Sequence, residues 1–139
     1  MSTLDPAVGL ASSSVVAFVA TRDAARARAF YENTLGLRVV TDTPFALVVD
    51  SGGTTIRIQK VDALTPQPFT ALGWTVRDIA RTMGALRERG VVFERYEFVP
   101  QDSLGVWTTP DGSKVAWFKD PDGNTLSLTE HGAPAAGKG

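Results

Sequence analysis

Two stretches of this chain set polar side chains at a spacing that could do chemistry. In residues 54–60 (TTIRIQK), Arg57 and Gln59 alternate with Ile56 and Ile58; in residues 125–130 (TLSLTE), Ser127 and Thr129 alternate with Leu126 and Leu128. Side chains two apart on a strand share a face, so each stretch turns an aliphatic side to a core and a polar side away from it. One polar side offers a guanidinium and an amide, the other two hydroxyls. Such groups bind electron-rich oxygens rather than attack them. Arg57 has two readings at this point. Its head reaches solvent or a nearby carboxylate, or it anchors a ligand that carries a carboxylate, a phenolate or a similar oxygen.

Other chemistries find little support. The chain has no cysteine, which removes disulfides, thiolate nucleophiles and cysteine metal sites together. Its single histidine, His131, stands beside Glu130 past the last apolar run and reads as a solvated residue, with no Ser-His-Asp set around it. No glycine-rich phosphate loop follows a strand. Asp120-Pro-Asp-Gly-Asn124 lacks the spaced carboxylates and distal Glu of a calcium loop, and a turn accounts for it. Gln101 and Asp102 lie in a polar segment, as rim or as plain loop. Fourteen basic against fifteen acidic residues leave a formal charge of −1, so neither nucleic acid nor a membrane surface is an expected partner. The apolar run at residues 15–20 is too short to span a bilayer and has no Lys or Arg before it, which points to a cytoplasmic protein.

The elements that must position these residues form a repeat. At 139 residues, 43% hydrophobic and 21% charged, the chain has the size and composition of one folding domain. Residues 15–20 read as a strand. Asp23 then opens a helix whose stripe is Ala27, Phe30, Tyr31, Thr34 and Leu35, and Gly36 ends it. Strands follow at 37–41, 45–49 and 54–61. In the second half a strand at 72–76 precedes a helix opened by Asp78, with Ile79, Met83 and Leu86 inward and Gly90 at its end. Strands are then expected at 92–98, 106–109, 114–118 and 126–129, with Pro110-Asp111-Gly112 as a hairpin turn. The fold class is α+β, with two βαβββ modules at about 15–62 and 70–131 inside one domain, 15–131. Residues 1–14 and 132–139 read as loose tails.

Phe30-Tyr31 with Leu35-Gly36, Arg89-Gly90, and Phe118-Lys-Asp-Pro-Asp-Gly-Asn124 occur in an order and spacing that resemble the vicinal oxygen chelate superfamily. That superfamily includes glyoxalase I, extradiol dioxygenases and bleomycin resistance proteins. The resemblance implies two modules whose curved sheets form a cleft, with the helices on the outer face. Its chelating members carry His, Glu or Gln at four inward positions, which fall here on Val16, Arg57, Ala71 and Ser127. None of these residues is a usual metal ligand, so no metal and no cofactor are expected. By strand parity the cleft takes Phe18 and Thr75 beside Arg57, Gln59, Ser127 and Thr129, with Val16 and Ala20 on the same face. Trp74, Trp107, Trp117, Phe45, Tyr96 and Phe118 are candidate aromatic walls. Trp107 is favoured because it lies in the hairpin that the first module lacks, and Trp74 is placed on the helix side.

The resemblance thus implies a metal-independent protein that holds an aromatic or anionic small molecule, similar to the bleomycin resistance proteins, and that pairs as a homodimer. The alternative is a metal-dependent lyase, isomerase or dioxygenase of the same superfamily, or a metal-free catalyst using Glu130 or Asp102 as an acid.

Overall fold

A computed structural model describes residues 8–132. The tails expected at either end therefore lie partly outside the described residues.

Each half of the chain builds a four-stranded sheet with one helical segment packed on it. In the first, β1 (Val16–Thr21), β2 (Arg38–Asp42), β3 (Ala46–Ser51) and β4 (Thr54–Lys60) lie in the order β1-β4-β3-β2. In the second, β5 (Thr70–Thr75), β6 (Trp107–Thr108), β7 (Lys114–Lys119) and β8 (Thr125–Glu130) lie in the order β5-β8-β7-β6. β1 and β5 run parallel to β4 and β8, and the remaining pairs are antiparallel. A parallel pair needs a long crossover, and in both halves it contains the helix.

The first helical segment starts as α1 (Ala24–Arg28) and widens into a π-helical turn over Ala29–Thr34. Asp23 caps it by accepting the Arg26 amide, and Asp78 caps α2 (Ile79–Glu88) in the same way through Arg81. Gly36 leaves the first helix at φ 73° and Gly90 leaves the second at φ 93°, a left-handed conformation that glycine adopts without a Cβ clash.

Ile56 and Ile58, Leu47 and Val49, and Tyr31 and Ala27 form one buried cluster, whereas Phe118, Leu126, Leu128, Ile79 and Met83 form another. Phe30, Leu35, Leu72 and Trp74 pack against both, so the two modules share an apolar seam on their helix side. β3 is buried on both faces from Ala46 to Val49, and β8 from Thr125 to Leu128. The sheet faces turned away from the helices are therefore shielded at their centres.

The strand expected at 92–98 is absent. Glu94 N donates to Trp117 O at 2.7 Å, but the neighbouring backbone groups bond to a side chain instead of a ladder. Gln101 Nε2 donates to the carbonyls of Glu94 and Gly105, and its Oε1 accepts the Tyr96 amide. An alternating apolar pattern cannot report that one glutamine satisfies the segment. The hairpin expected at 110–112 is present, with Thr109 N bonded to Ser113 O at 2.7 Å. Among the described residues no helix is long and apolar enough to cross a membrane.

Candidate ligand site

Alternation along β4 holds as expected: Ile56 and Ile58 are buried in the core, and Arg57 and Gln59 stand on the opposite face. Register sets Arg57 between Phe18 on β1 and Val48 on β3, and Gln59 between Ala20 and Ala46. Phe18 is 54% exposed, whereas Val48 is buried. Arg57 is half-buried and, among the described residues, its side chain has no hydrogen-bond or ion-pair partner. Gln59 likewise makes no side-chain bond.

The equivalent face of the second sheet carries hydroxyls at Ser127 and Thr129, with Lys119 opposite Thr125 on the same face. Ser127 lies between Gly73 on β5 and Trp117 on β7, and Thr129 between Thr75 and Val115. Ser127 is buried, yet no side chain covers it from the β5 side. A Cβ at Gly73 would come within 2.7 Å of Ser127 Oγ, so glycine leaves a notch with a hydroxyl at its floor. Thr75 is exposed, and its Oγ1 lies 3.2 Å from His131 Nε2. The histidine expected to be free in solvent thus reaches the same end of the sheet.

Aromatic rings extend this second face. Trp107 stacks on Trp117 with centroids 6.1 Å apart and planes at 19°; Tyr96 meets Trp117 edge-on at 5.5 Å, and Phe98 lies 5.7 Å from Tyr96. A cavity of about 280 Å³ opens beside them, lined by Pro68, Phe69, Tyr96, Phe98, Trp117 and Thr125. Burial is the main cause raising the Tyr96 phenol above its usual pKa, with the Glu94 charge adding to it. Phe69 and Phe98 were not among the sequence candidates. The signal available was Tyr96 and Phe98 two apart in a segment misread as a strand. Of the remaining aromatics, Trp74 and Phe118 belong to the core, Trp74 donating to Ser51 Oγ at 2.9 Å, and Phe45 is exposed on a turn.

The expected site residues therefore fall into two groups: Phe18, Arg57 and Gln59 on the first sheet, and Thr75, Trp107, Ser127 and Thr129 on the second. Both acids considered for catalysis have structural tasks. Asp102 accepts the amides of Leu104 and Val106, and Glu130 accepts the Ile79 amide at the start of α2.

The architecture is that of paired βαβββ modules, and the profile of the glyoxalase/bleomycin resistance protein/dioxygenase superfamily matches residues 13–128. The chain belongs to that superfamily. Solved structures agree. A member of this superfamily from Sphaerobacter thermophilus DSM 20745 is 28% identical, with a TM-score of 0.69 over 88% of this chain and 99% of its own. A lactoylglutathione lyase from Agrobacterium tumefaciens is 19% identical, with a TM-score of 0.66 over 86% and 93%. A glyoxalase/bleomycin resistance protein/dioxygenase from Alicyclobacillus acidocaldarius, also 19% identical, gives 0.64 over 86% and 92%. No curated protein matches the sequence.

Chelating members of the superfamily hold a metal, and the donor set here does not fit one. Val16 and Ala71 have no donor atom, Arg57 brings a positive charge, and Ser127 offers a neutral hydroxyl. Among the described residues no group of three His, Cys, Asp or Glu could hold a metal ion.

Proposed function

We propose that this superfamily member is a metal-independent small-molecule binding protein, in the manner of the bleomycin resistance proteins, and that its ligand is an aromatic compound carrying an anionic or electron-rich oxygen. The observation that carries the reading is Arg57, half-buried, unpartnered among the described residues and in register with Phe18 and Val48. It stands at a position where chelating relatives carry a metal ligand, so a fixed cation of the protein takes over the partner role for the ligand's oxygen. Gln59 adds a directional hydrogen bond on the same face. The stacked Trp107 and Trp117 and the Gly73–Ser127 notch supply a flat apolar surface with a hydroxyl beside it. Thr75 and Thr129 form the polar end of that sheet.

A thermal-stabilisation screen of aromatic acids and phenols supplies the ligand, and tryptophan fluorescence titration then measures its affinity. Arg57→Met is expected to keep the fold and to weaken binding by about tenfold or more, the equivalent of a charged hydrogen bond at about 1.5–3 kcal/mol. Prior treatment with a chelator should leave the wild-type affinity unchanged. Equal affinities of wild type and variant would reject the anchor, and loss of binding after chelation would return the chain to the metal-dependent branch.

A further inference from the structure

A second cavity lies on the other side of the second sheet from Ser127 and Thr129. It occupies about 180 Å³ between α2 and β5, half open to solvent and closed on one side by the stretch that leaves the first helix. Leu86 of α2, Trp74 and Val76 around the end of β5, Phe118 of β7, and Leu35 and Leu37 of the first module wall it. Trp74 lies on the core side of β5, whereas its neighbour Gly73 faces Ser127. Apart from Thr75, which also belongs to the Gly73 face, the cavity is walled from the core side of the sheet and not from the face that carries the proposed ligand.

No charged residue lines this cavity, and each polar side chain in the wall is already bonded elsewhere. Trp74 Nε1 donates to Ser51 Oγ at 2.9 Å, Thr82 Oγ1 donates to Asp78 O at 3.0 Å, and Thr75 Oγ1 pairs with His131 Nε2. A water held inside would find few of the two to four polar partners that make an internal water stable. An ion would lose its hydration with nothing to replace it. A small apolar molecule loses nothing by entering, and size limits it further: a cavity of about 150 Å³ lined by aliphatic and aromatic side chains accommodates a benzene ring.

We propose that this seam between α2 and the first module is a binding site for one small uncharged hydrocarbon or aromatic ring, independent of the Arg57 face. The ring would stack or lie edge-on against Trp74 and Phe118, which are themselves 6.4 Å apart with planes at 22°.

Toluene is the probe. Titration followed by ¹H–¹³C methyl spectra should give saturable shifts centred on Leu35, Leu37 and Leu86, with a rise in melting temperature. Thr82→Met places a flexible apolar side chain at the rim of the cavity, on a helix that tolerates it, and should weaken toluene by about tenfold. Leu86→Ala enlarges the cavity from the same helix and should shift preference from toluene toward naphthalene. Arg57→Met should bind toluene as wild type does, so failure of the anionic-ligand reading leaves this result standing, and the reverse. The proposal falls if toluene gives no saturable shifts, if its shifts centre on Val115, which pairs with Trp107 on the other face of the sheet, or if neither α2 variant alters the binding.

Discussion

Asp102 and Arg57 are both charged side chains beside a sheet, and their partners separate them. The Asp102 carboxylate accepts the Leu104 and Val106 amides at 2.9 Å each. Those bonds, the one from Val106 first, hold its pKa below the usual carboxylate value. A group depressed on folding stabilises the native state above its unfolded pKa, about 4, and loses that contribution as pH falls through the lower folded value. Asp102→Asn should therefore melt below wild type at neutral pH. The gap should stay constant down to about pH 4 and close beneath it; a gap unchanged in acid would remove the charge from the explanation. Arg57 has no such bonds among the described residues, which is what the proposed ligand role rests on. Its side of β4 was legible because a strand has period two and Ile56 and Ile58 could only face a core. The role of Asp102 was not, since loop and rim readings of one polar residue differ only in where the chain turns next.

At the scale of the element, the turn at 120–124 does more than join β7 to β8. Asp120 accepts the Tyr31 hydroxyl at 2.7 Å, the Asn124 side-chain amide at 2.9 Å and the backbone amides of Asp122 and Asn124. Asn124 also donates to Ala20 O, and Asp122 accepts Thr21 Oγ1 and the Arg22 amide. The second module's turn is thereby bolted to the end of the first module's β1 and to its π-helical turn. Burial above all, and then the Asp120 charge, push the Tyr31 phenol far above its usual pKa, so it stays a donor throughout the physiological range. The π-helical turn accounts for its position, because the wider turn lets adjacent Phe30 and Tyr31 both face inward. Tyr31→Phe should lower stability by about 1.5–3 kcal/mol, as for a hydrogen bond to a charged acceptor, measured by urea unfolding with far-UV circular dichroism. A loss under about 0.5 kcal/mol, the low end for an ordinary hydrogen bond, would show that water replaces the phenol. The helix itself was legible from Asp23, its apolar stripe and Gly36. The bolt was not, because Tyr31 and Asp120 are separated by 89 positions and a turn motif explains itself locally.

For the whole molecule, the repeat was readable because both halves open their helices with Arg-Asp and close them with Gly. The insertion after α2 hid its own form: residues 92–98 alternate like a strand but bond through Gln101. How copies of the chain associate follows from what stays uncovered. Val16 and Phe18 on β1 are 44% and 54% exposed, and Phe69 and Phe98 at the second sheet are 62% and 85% exposed. These residues leave apolar surface at both sheets, and such surface favours a partner. A homodimer is the expected state, read by sedimentation at micromolar concentration; a monomer alone there would reject it. The short β6 has a further consequence. It offers a newcomer only two residues of ladder, and Gln101 already bonds the backbone beside it. At an edge of the first sheet, β2 breaks register at Val40, and Arg28 and Lys60 close on Asp42. A bulge and fixed charges both discourage a strand from docking there. Crowded copies of this chain thus meet poor templates at β2 and at β6, and fibre growth by strand addition at those two edges should be slow even where its apolar faces attract one another.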